Sequence, residues 1–213
     1  MRFADRRDAG AQLACLLALT TVHEPVVLGL PRGGVPVAYE VALELAAPLD
    51  VFVSRKIGAP GQREFGIGAI AEGGAPVFDD PAVQALGLTL EQLDALARKE
   101  QLELDRRTRL YRDGRALTDV AGRDVVVVDD GLATGVTAEA AMHALRALLP
   151  RRLVLAVPIG APESRDRLAS VADDVVCVFA PPDFHAVGLW YDRFDQTSDD
   201  EVVDLLAAAR AWA

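Results

Sequence analysis

The sequence is poor in the residues that staple, chelate or anchor. It has two cysteines and three histidines in 213 residues. Cys15 and Cys177 lie far apart in apolar segments and neither belongs to a CxxC pair, so both read as reduced core thiols rather than as disulfide or metal ligands. His23, His143 and His185 stand apart and read as structural, with only His185, beside Phe184, singled out for a role. Basic residues are also few: 22 Lys and Arg stand against 32 Asp and Glu, a net charge of -10. That argues against general nucleic-acid binding, which needs basic surface to neutralise phosphates, although a small anion in a local positive pocket remains compatible. No apolar run reaches the roughly 18 residues of a membrane span. Arg6-Arg7 before "AGAQLACLLALTTV" has the outline of a signal peptide. However, Asp5 and Asp8 spoil its basic start, and Leu13, Leu16, Leu17 and Thr20 share a helical face. The expectation is a cytoplasmic protein with neither nucleic acid nor membrane as partner. No GxGxxG follows the first strand, so the dinucleotide fingerprint is missing too.

What is present is a packed chain: 51% hydrophobic, 25% charged, mean hydropathy +0.20. The length suits one α/β domain with a core. Strands are expected at 25–30, 49–56, 124–130, 152–160 and 173–180, and helices at 8–21, from Pro36 on, at 135–149, at 162–171 and from about 199. Residues 66–78 read as a hairpin around Glu72-Gly73-Gly74. Residues 89–113 read as a long charged helix with Thr89 as N-cap and Gly114 as terminator. "IGAPGQREF" (57–65) has Gly and Pro but no apolar period. It is expected to be a mobile loop that closes over a ligand. Strands alternate with helices and are Val-rich without polar alternation. This predicts a parallel sheet flanked by helices on both faces, in a single domain over 1–213 with no repeat or linker.

In such sheets ligands bind beyond the carboxyl ends of the strands. Three of those ends are unusual: "PRGG" after the first strand, "SRK" after the second and "DDGLATGVT" after the central one. The last places Asp129 and Asp130 side by side and leads into a helix through Thr134, Gly135 and Thr137. Unpaired N–H groups at a helix start favour an anion, small residues allow close approach, and Thr hydroxyls can donate, so the turn suits a phosphomonoester. The carboxylates suit vicinal hydroxyls, as in a ribose. A ribose 5-phosphate has both features. The plain alternative is a buried strand whose Asp caps a helix. A receiver-type phosphoacceptor Asp129 is a second alternative, but it needs an acidic pair after the first strand, where "LGLPRGG" has Arg instead.

"VVVVDDGLATGVT" resembles the phosphoribosyl-pyrophosphate (PRPP) signature of the type I phosphoribosyltransferases, departing mainly at Gly131, where a branched apolar residue is more usual. The resemblance implies that Asp129 and Asp130 hold the ribose hydroxyls. It assigns the 5-phosphate to Ala133, Thr134, Gly135, Val136 and Thr137. "GLPRGG" resembles the pyrophosphate loop, with a strained peptide before Gly and with Arg32 and Gly33 as ligands. "SRKIGAPG" resembles the Arg-Lys that starts a catalytic loop in some members. Arg55 and Lys56 match, Ala59 stands where a further basic residue is often found, and Arg63 is the substitute. With "FADRRDAG" and "FHAVGLWYDRF" included, the chain is similar to a group of stand-alone bacterial phosphoribosyltransferase-like proteins.

That resemblance implies the type I fold with an insert at about 81–120 and a small C-terminal hood at about 181–213. It also implies transfer of phosphoribose from PRPP to a nitrogen acceptor, a nucleobase for choice, with release of pyrophosphate. Lys56, Arg55 and Asp130 are the catalytic candidates. Mg²⁺ is expected as cofactor, carried by PRPP with no direct protein ligand and reached from Asp129 and Asp130 through waters. Partners are PRPP, a small-molecule acceptor and a second copy of the chain. Phe184 and Trp190, in a cluster with Tyr191 and Phe194, either form tail core or stack the acceptor. "RRTRLYR", at the end of the long helix, reads as a solvated face with pairs such as Glu103–Arg107, or else as a contact to a neighbouring subunit. A PRPP-sensing protein without catalysis, and a hydrolase or phosphorylase on the same cradle, are the alternatives.

Overall fold

Valine runs without polar alternation can be buried only if both faces of their sheet are covered, and the chain builds that arrangement. The computed structural model describes residues 2–20 and 22–211, without the side chains of Arg63 and Glu64. In chain order the elements are α1 (Arg6–Leu17), β1 (Val26–Gly29), α2 (Gly34–Glu44), β2 (Leu49–Val51), β3 (Ser54–Ala59), β4 (Gln62–Ala71), β5 (Val77–Phe78), α3 (Asp80–Leu86) and α4 (Leu90–Arg112). After these come β6 (Asp124–Val128), α5 (Val136–Arg146), β7 (Arg152–Ile159), α6 (Pro162–Leu168), β8 (Asp174–Phe179), a 3₁₀ turn at Val187–Trp190 and α7 (Asp199–Ala209). Five strands form one parallel sheet in the order β2-β1-β6-β7-β8. Alternate residues serve opposite faces. Val27, Val126 and Val128 pack with Leu13 of α1, Val41 of α2 and Leu206 of α7, while Val26, Val125 and Val127 pack with Ala141 and Leu145 of α5 and Leu168 of α6. Each such side chain contributes roughly 1.5–3 kcal/mol by leaving water.

The antiparallel sheet β3-β4-β5 corrects two expectations. The strand expected at 49–56 is two strands. β2 stays in the parallel sheet, where Phe52 N still donates to Gly29 O at 3.1 Å, and β3 leaves it. The segment 57–65 is no irregular loop but the arms and tip of a hairpin, turning at Pro60-Gly61 with Gly61 at φ 76°. Ile57 and Ala59 on β3 and Ile67 on β4 are buried at alternate positions, a period too interrupted by glycines to read in the sequence. The expected hairpin at Glu72-Gly73-Gly74 is present, pairing β4 with β5. α3, which follows it, has no counterpart in the sequence reading. Helix ends expected at 21, 149 and 171 fall earlier, at Leu17, Arg146 and Leu168. Cys15 is exposed and Cys177 only partly buried, so neither is a full core thiol.

α4 begins as expected. Thr89 Oγ1 accepts from Gln92 N at 3.3 Å and Gln92 Oε1 accepts from Thr89 N at 2.8 Å, a complete capping box. The left-handed C-cap is Asp113 at φ 52°, one residue before the expected Gly114. Its basic end divides. Glu103 accepts from Arg106 at 2.8 Å and Arg107 at 2.9 Å and is held at a pKa of about 2, first by the Arg106 hydrogen bond. Arg112, by contrast, is buried. It joins the two sheets by donating to Asp50 Oδ1 at 3.2 Å, Glu72 Oε2 at 2.9 Å and the Val51 carbonyl.

Candidate active site

The acidic pair sits at the carboxyl end of β6, against the turn that follows β1. A Cβ on Gly33 would lie 1.9 Å from Asp130 Oδ2, and one on Gly34 would lie 2.6 Å from the Val128 carbonyl and 3.1 Å from Asp129 Oδ1. Only glycine allows "PRGG" to approach so closely, so two of the three strand ends expected to converge meet here, while "SRK" lies inside β3 of the antiparallel sheet and is no strand end. The Pro31–Arg32 peptide is cis. Asp129 Oδ1 accepts from the backbone N of Asp130 at 2.8 Å. Arg6 of α1 donates Nε to Asp130 Oδ2 at 2.8 Å, with both side chains largely buried. Arg6 itself is fixed by the Asp195 carbonyl, 2.6 Å from Nη1, and by the Phe194 ring, whose centroid lies 4.0 Å from its guanidinium carbon. Burial pushes the Asp129 carboxyl well up, and the Asp130 charge adds to this. The Asp130 carboxyl is also raised by burial, opposed by Arg6.

Residues 133–135 form the turn between β6 and α5, and Val136 and Thr137 open the helix. Gly135 takes the left-handed conformation at φ 69°. Ala133 and Thr134 are exposed, and Val136 and Thr137 are half-buried. The first N–H groups of a helix have no acceptor within it. Among the described residues, none of the N–H groups of 133–137 reaches a loop carbonyl. The turn's carbonyls are occupied instead: Ser164 Oγ donates to Ala133 O, and Arg167 donates to Thr134 O and to Glu139.

Adjacent residues of a strand face opposite ways, and this separates the expected basic pair. Lys56 is exposed on β3 and lies across Gly66 of β4, where a Cβ would meet Lys56 Cε at 2.2 Å. It lines a cleft of 790 Å³ whose other wall includes Thr134, Val136, Ser164 and Arg167. Arg55 points to α4 and pairs with Glu100 at 2.7 Å, so it is not brought to that cleft. Arg32 is part-exposed, 3.8 Å from Asp199 at the start of α7. Asp199 also takes the Tyr111 hydroxyl at 2.6 Å. The Arg63 side chain lies outside the described residues.

The aromatic tail forms its own small core. Phe3, Ala9, Ile159 and Tyr191 are buried there, with Phe179, Phe184, Val187 and Trp190 packed against them. Trp190 meets Phe179 edge-on at 5.3 Å, and its buried Nε1 finds no acceptor among the described residues. Neither Phe184 nor Trp190 lines the cleft. Tyr191 Oη donates to the Asp130 carbonyl at 2.6 Å. The Val187 methyls occupy the space that a side chain at Gly131 would need: a Cβ there would lie 2.4 Å from Val187 Cγ1. The unusual glycine is thus matched by a tail residue. Arg6, Ser164 and Arg167 were not singled out from the sequence as site residues, and Tyr191 was named there only within the aromatic cluster. Only Arg6 and Tyr191 left a signal, as members of "FADRRDAG" and "FHAVGLWYDRF".

The family model described as a phosphoribosyl transferase domain matches residues 11–188. Two Mycobacterium tuberculosis proteins, named "Putative phosphoribosyl transferase" Rv0571c and MT0597, are each 52% identical over 207 residues. These residues make up 97% of this chain and 47% of theirs, so the chain spans about half the length of these relatives. The crystal structure of TT1426 from Thermus thermophilus is 46% identical with a TM-score of 0.83, covering 98% of this chain and 99% of that one. AQ2163 from Aquifex aeolicus, 13% identical with a TM-score of 0.51 over 95% of this chain and 85% of that one, shares the fold alone. The PRPP-like stretch lies inside the matched residues, on the central strand of the parallel sheet, and the chain belongs to the phosphoribosyl transferase domain family.

Proposed function

We propose that this protein transfers the phosphoribosyl group of PRPP to a nitrogen acceptor, with a nucleobase as the acceptor class, and releases pyrophosphate. The observation that carries the reading is the meeting, at one rim, of an acidic pair, a helix-start turn with free N–H groups and, across one cleft from that turn, Lys56. The turn takes the 5-phosphate, and Asp129 and Asp130 accept from the ribose hydroxyls. The C1–O bond to pyrophosphate breaks, a C1–N bond forms and the acceptor nitrogen loses its proton. Positive charge grows on the sugar ring meanwhile, as in glycoside cleavage. Lys56 stabilises the departing pyrophosphate electrostatically, and Arg32 does so once ligand competes for it with Asp199. Hard carboxylate oxygens at Asp129 and Asp130 fit Mg²⁺ held mainly by ligand oxygens and water, and such a cation would neutralise the leaving charge. A panel of nucleobases and amines with PRPP and Mg²⁺, read as pyrophosphate release, tests this.

A second reading is a PRPP sensor without turnover. One observation favours it: the aromatic side chains expected to stack an acceptor are packed into the tail core. PRPP binding with no pyrophosphate release from any acceptor would support the sensor.

A further inference from the structure

Two consecutive carbonyls of the 133–137 turn are held from one side by α6. Ser164 Oγ lies 2.5 Å from the Ala133 oxygen, and Arg167 donates to the Thr134 oxygen. The two residues are three apart and so share a face of the helix. α6 also packs directly on the turn, because a Cβ on Gly135 would lie 2.9 Å from Leu168 Cδ1 and 3.4 Å from Arg167 Nη2. A trans peptide unit is planar, and its C=O and N–H point in opposite directions. Drawing the carbonyls of Ala133 and Thr134 towards α6 therefore turns the N–H groups of Thr134 and Gly135 away from it. They face the side of the turn that α6 leaves open, and no loop carbonyl takes either of them among the described residues. Arg167 has a second task. Glu139, in the first turns of α5, lines the same cleft as Thr134, and its carboxylate would oppose an incoming phosphate were it not paired with Arg167.

We propose that Ser164 and Arg167 are positioning residues that aim the N–H groups of Thr134 and Gly135 at a phosphomonoester, so that the anion site is built by two helices, only one of which carries the signature stretch. The proposal rests on the reading of 133–137 as a sugar 5-phosphate site. An anion held by oriented N–H groups loses one or more charge-assisted hydrogen bonds when they swing away, worth about tenfold in affinity each.

The test titrates ribose 5-phosphate and, separately, pyrophosphate with Mg²⁺ into wild type, Ser164→Ala, Arg167→Gln and Arg167→Gln with Glu139→Gln. We expect each single variant to bind ribose 5-phosphate about tenfold more weakly and pyrophosphate within about twofold of wild type. The added Glu139→Gln change should leave that deficit in place. Unchanged ribose 5-phosphate affinity in both single variants overturns the proposal. So does full recovery in the double variant, which would make Arg167 only a counter-charge for Glu139. Amide resonances of the unmutated protein keep the test independent of variant folding: Thr134 and Gly135 should shift on adding ribose 5-phosphate, and binding without those shifts also overturns the proposal. A wild type that binds neither PRPP nor ribose 5-phosphate overturns the site reading itself, and the proposal with it.

Discussion

Arg6 Nε lies 2.8 Å from Asp130 Oδ2, joining the first helix to the end of the central strand. It answers how two adjacent carboxylates are tolerated side by side: Arg6 supplies the opposing charge, and Asp129 is held towards its neutral form by burial and by Asp130. Arg6→Gln removes one partner of a largely buried pair, which costs about 2–4 kcal/mol and roughly 5–10 °C in Tm. Without Arg6 the two carboxyls rise further, so ionising them as the pH rises costs more. The deficit in Tm against wild type should therefore widen with pH. A deficit that does not change with pH would make Arg6 a packing residue only.

Asp129 gives a prediction of opposite sign. Its folded-state pKa lies above the ordinary carboxylate value, so the folded protein binds the proton more tightly than the unfolded chain does. The stability this gives is present at low pH and is lost as pH rises through the raised value. Asp129→Asn should accordingly raise Tm near pH 7 and leave it unchanged near pH 3. Thermal melts at both values check this. Asp130→Asn should not share the gain, because it also breaks the pair with Arg6.

For ligand binding the two aspartates act together. Charge-assisted hydrogen bonds of roughly 1.5–3 kcal/mol each imply that the double Asn variant loses about 3–6 kcal/mol of PRPP binding, on the order of 10²–10⁴ in Kd. Calorimetric titration measures it. Binding within about threefold of wild type would remove the pair from the ribose site.

Lys56→Ala should lower kcat more than it weakens PRPP binding, because its charge matters most as pyrophosphate departs. Steady-state kinetics with the acceptor found by the panel would show it. A raised KM at constant kcat would limit Lys56 to ground-state binding.

The valine run at 125–128, the PRPP-like stretch and the Thr89 N-cap were all legible in the sequence, because each is dictated by residues within a few positions of one another. The β3-β4 hairpin was not. Its apolar period is interrupted by Gly58 and Gly66, and the register shifts at Gly58, so the Gly-Pro composition read as loop. Nor could local pattern show which basic residue faces the cleft. "SRK" gives Arg55 and Lys56 equal standing, and only the strand pleat and Glu100 of α4 divide them. The pairing of Arg6 with Asp130 and the hold of Ser164 and Arg167 on the turn are long-range contacts between elements, without a sequence period to betray them.

The Gly131–Val187 contact makes two distant positions share a single allotment of volume. A branched residue at 131, usual for the family, has nowhere to go while Val187 is in place, and shortening Val187 alone would leave a void beside Gly131. Gly131→Val should destabilise the protein by about 1–3 kcal/mol through overpacking, and Val187→Gly in the same chain should restore part of that loss. Chimeras that import a tail from another family member should then fold well only when residue 131 travels with it. The tail at Val187 and the PRPP-like stretch at Gly131 thereby fill one space, and a change of side-chain size at either alters the packing of the other.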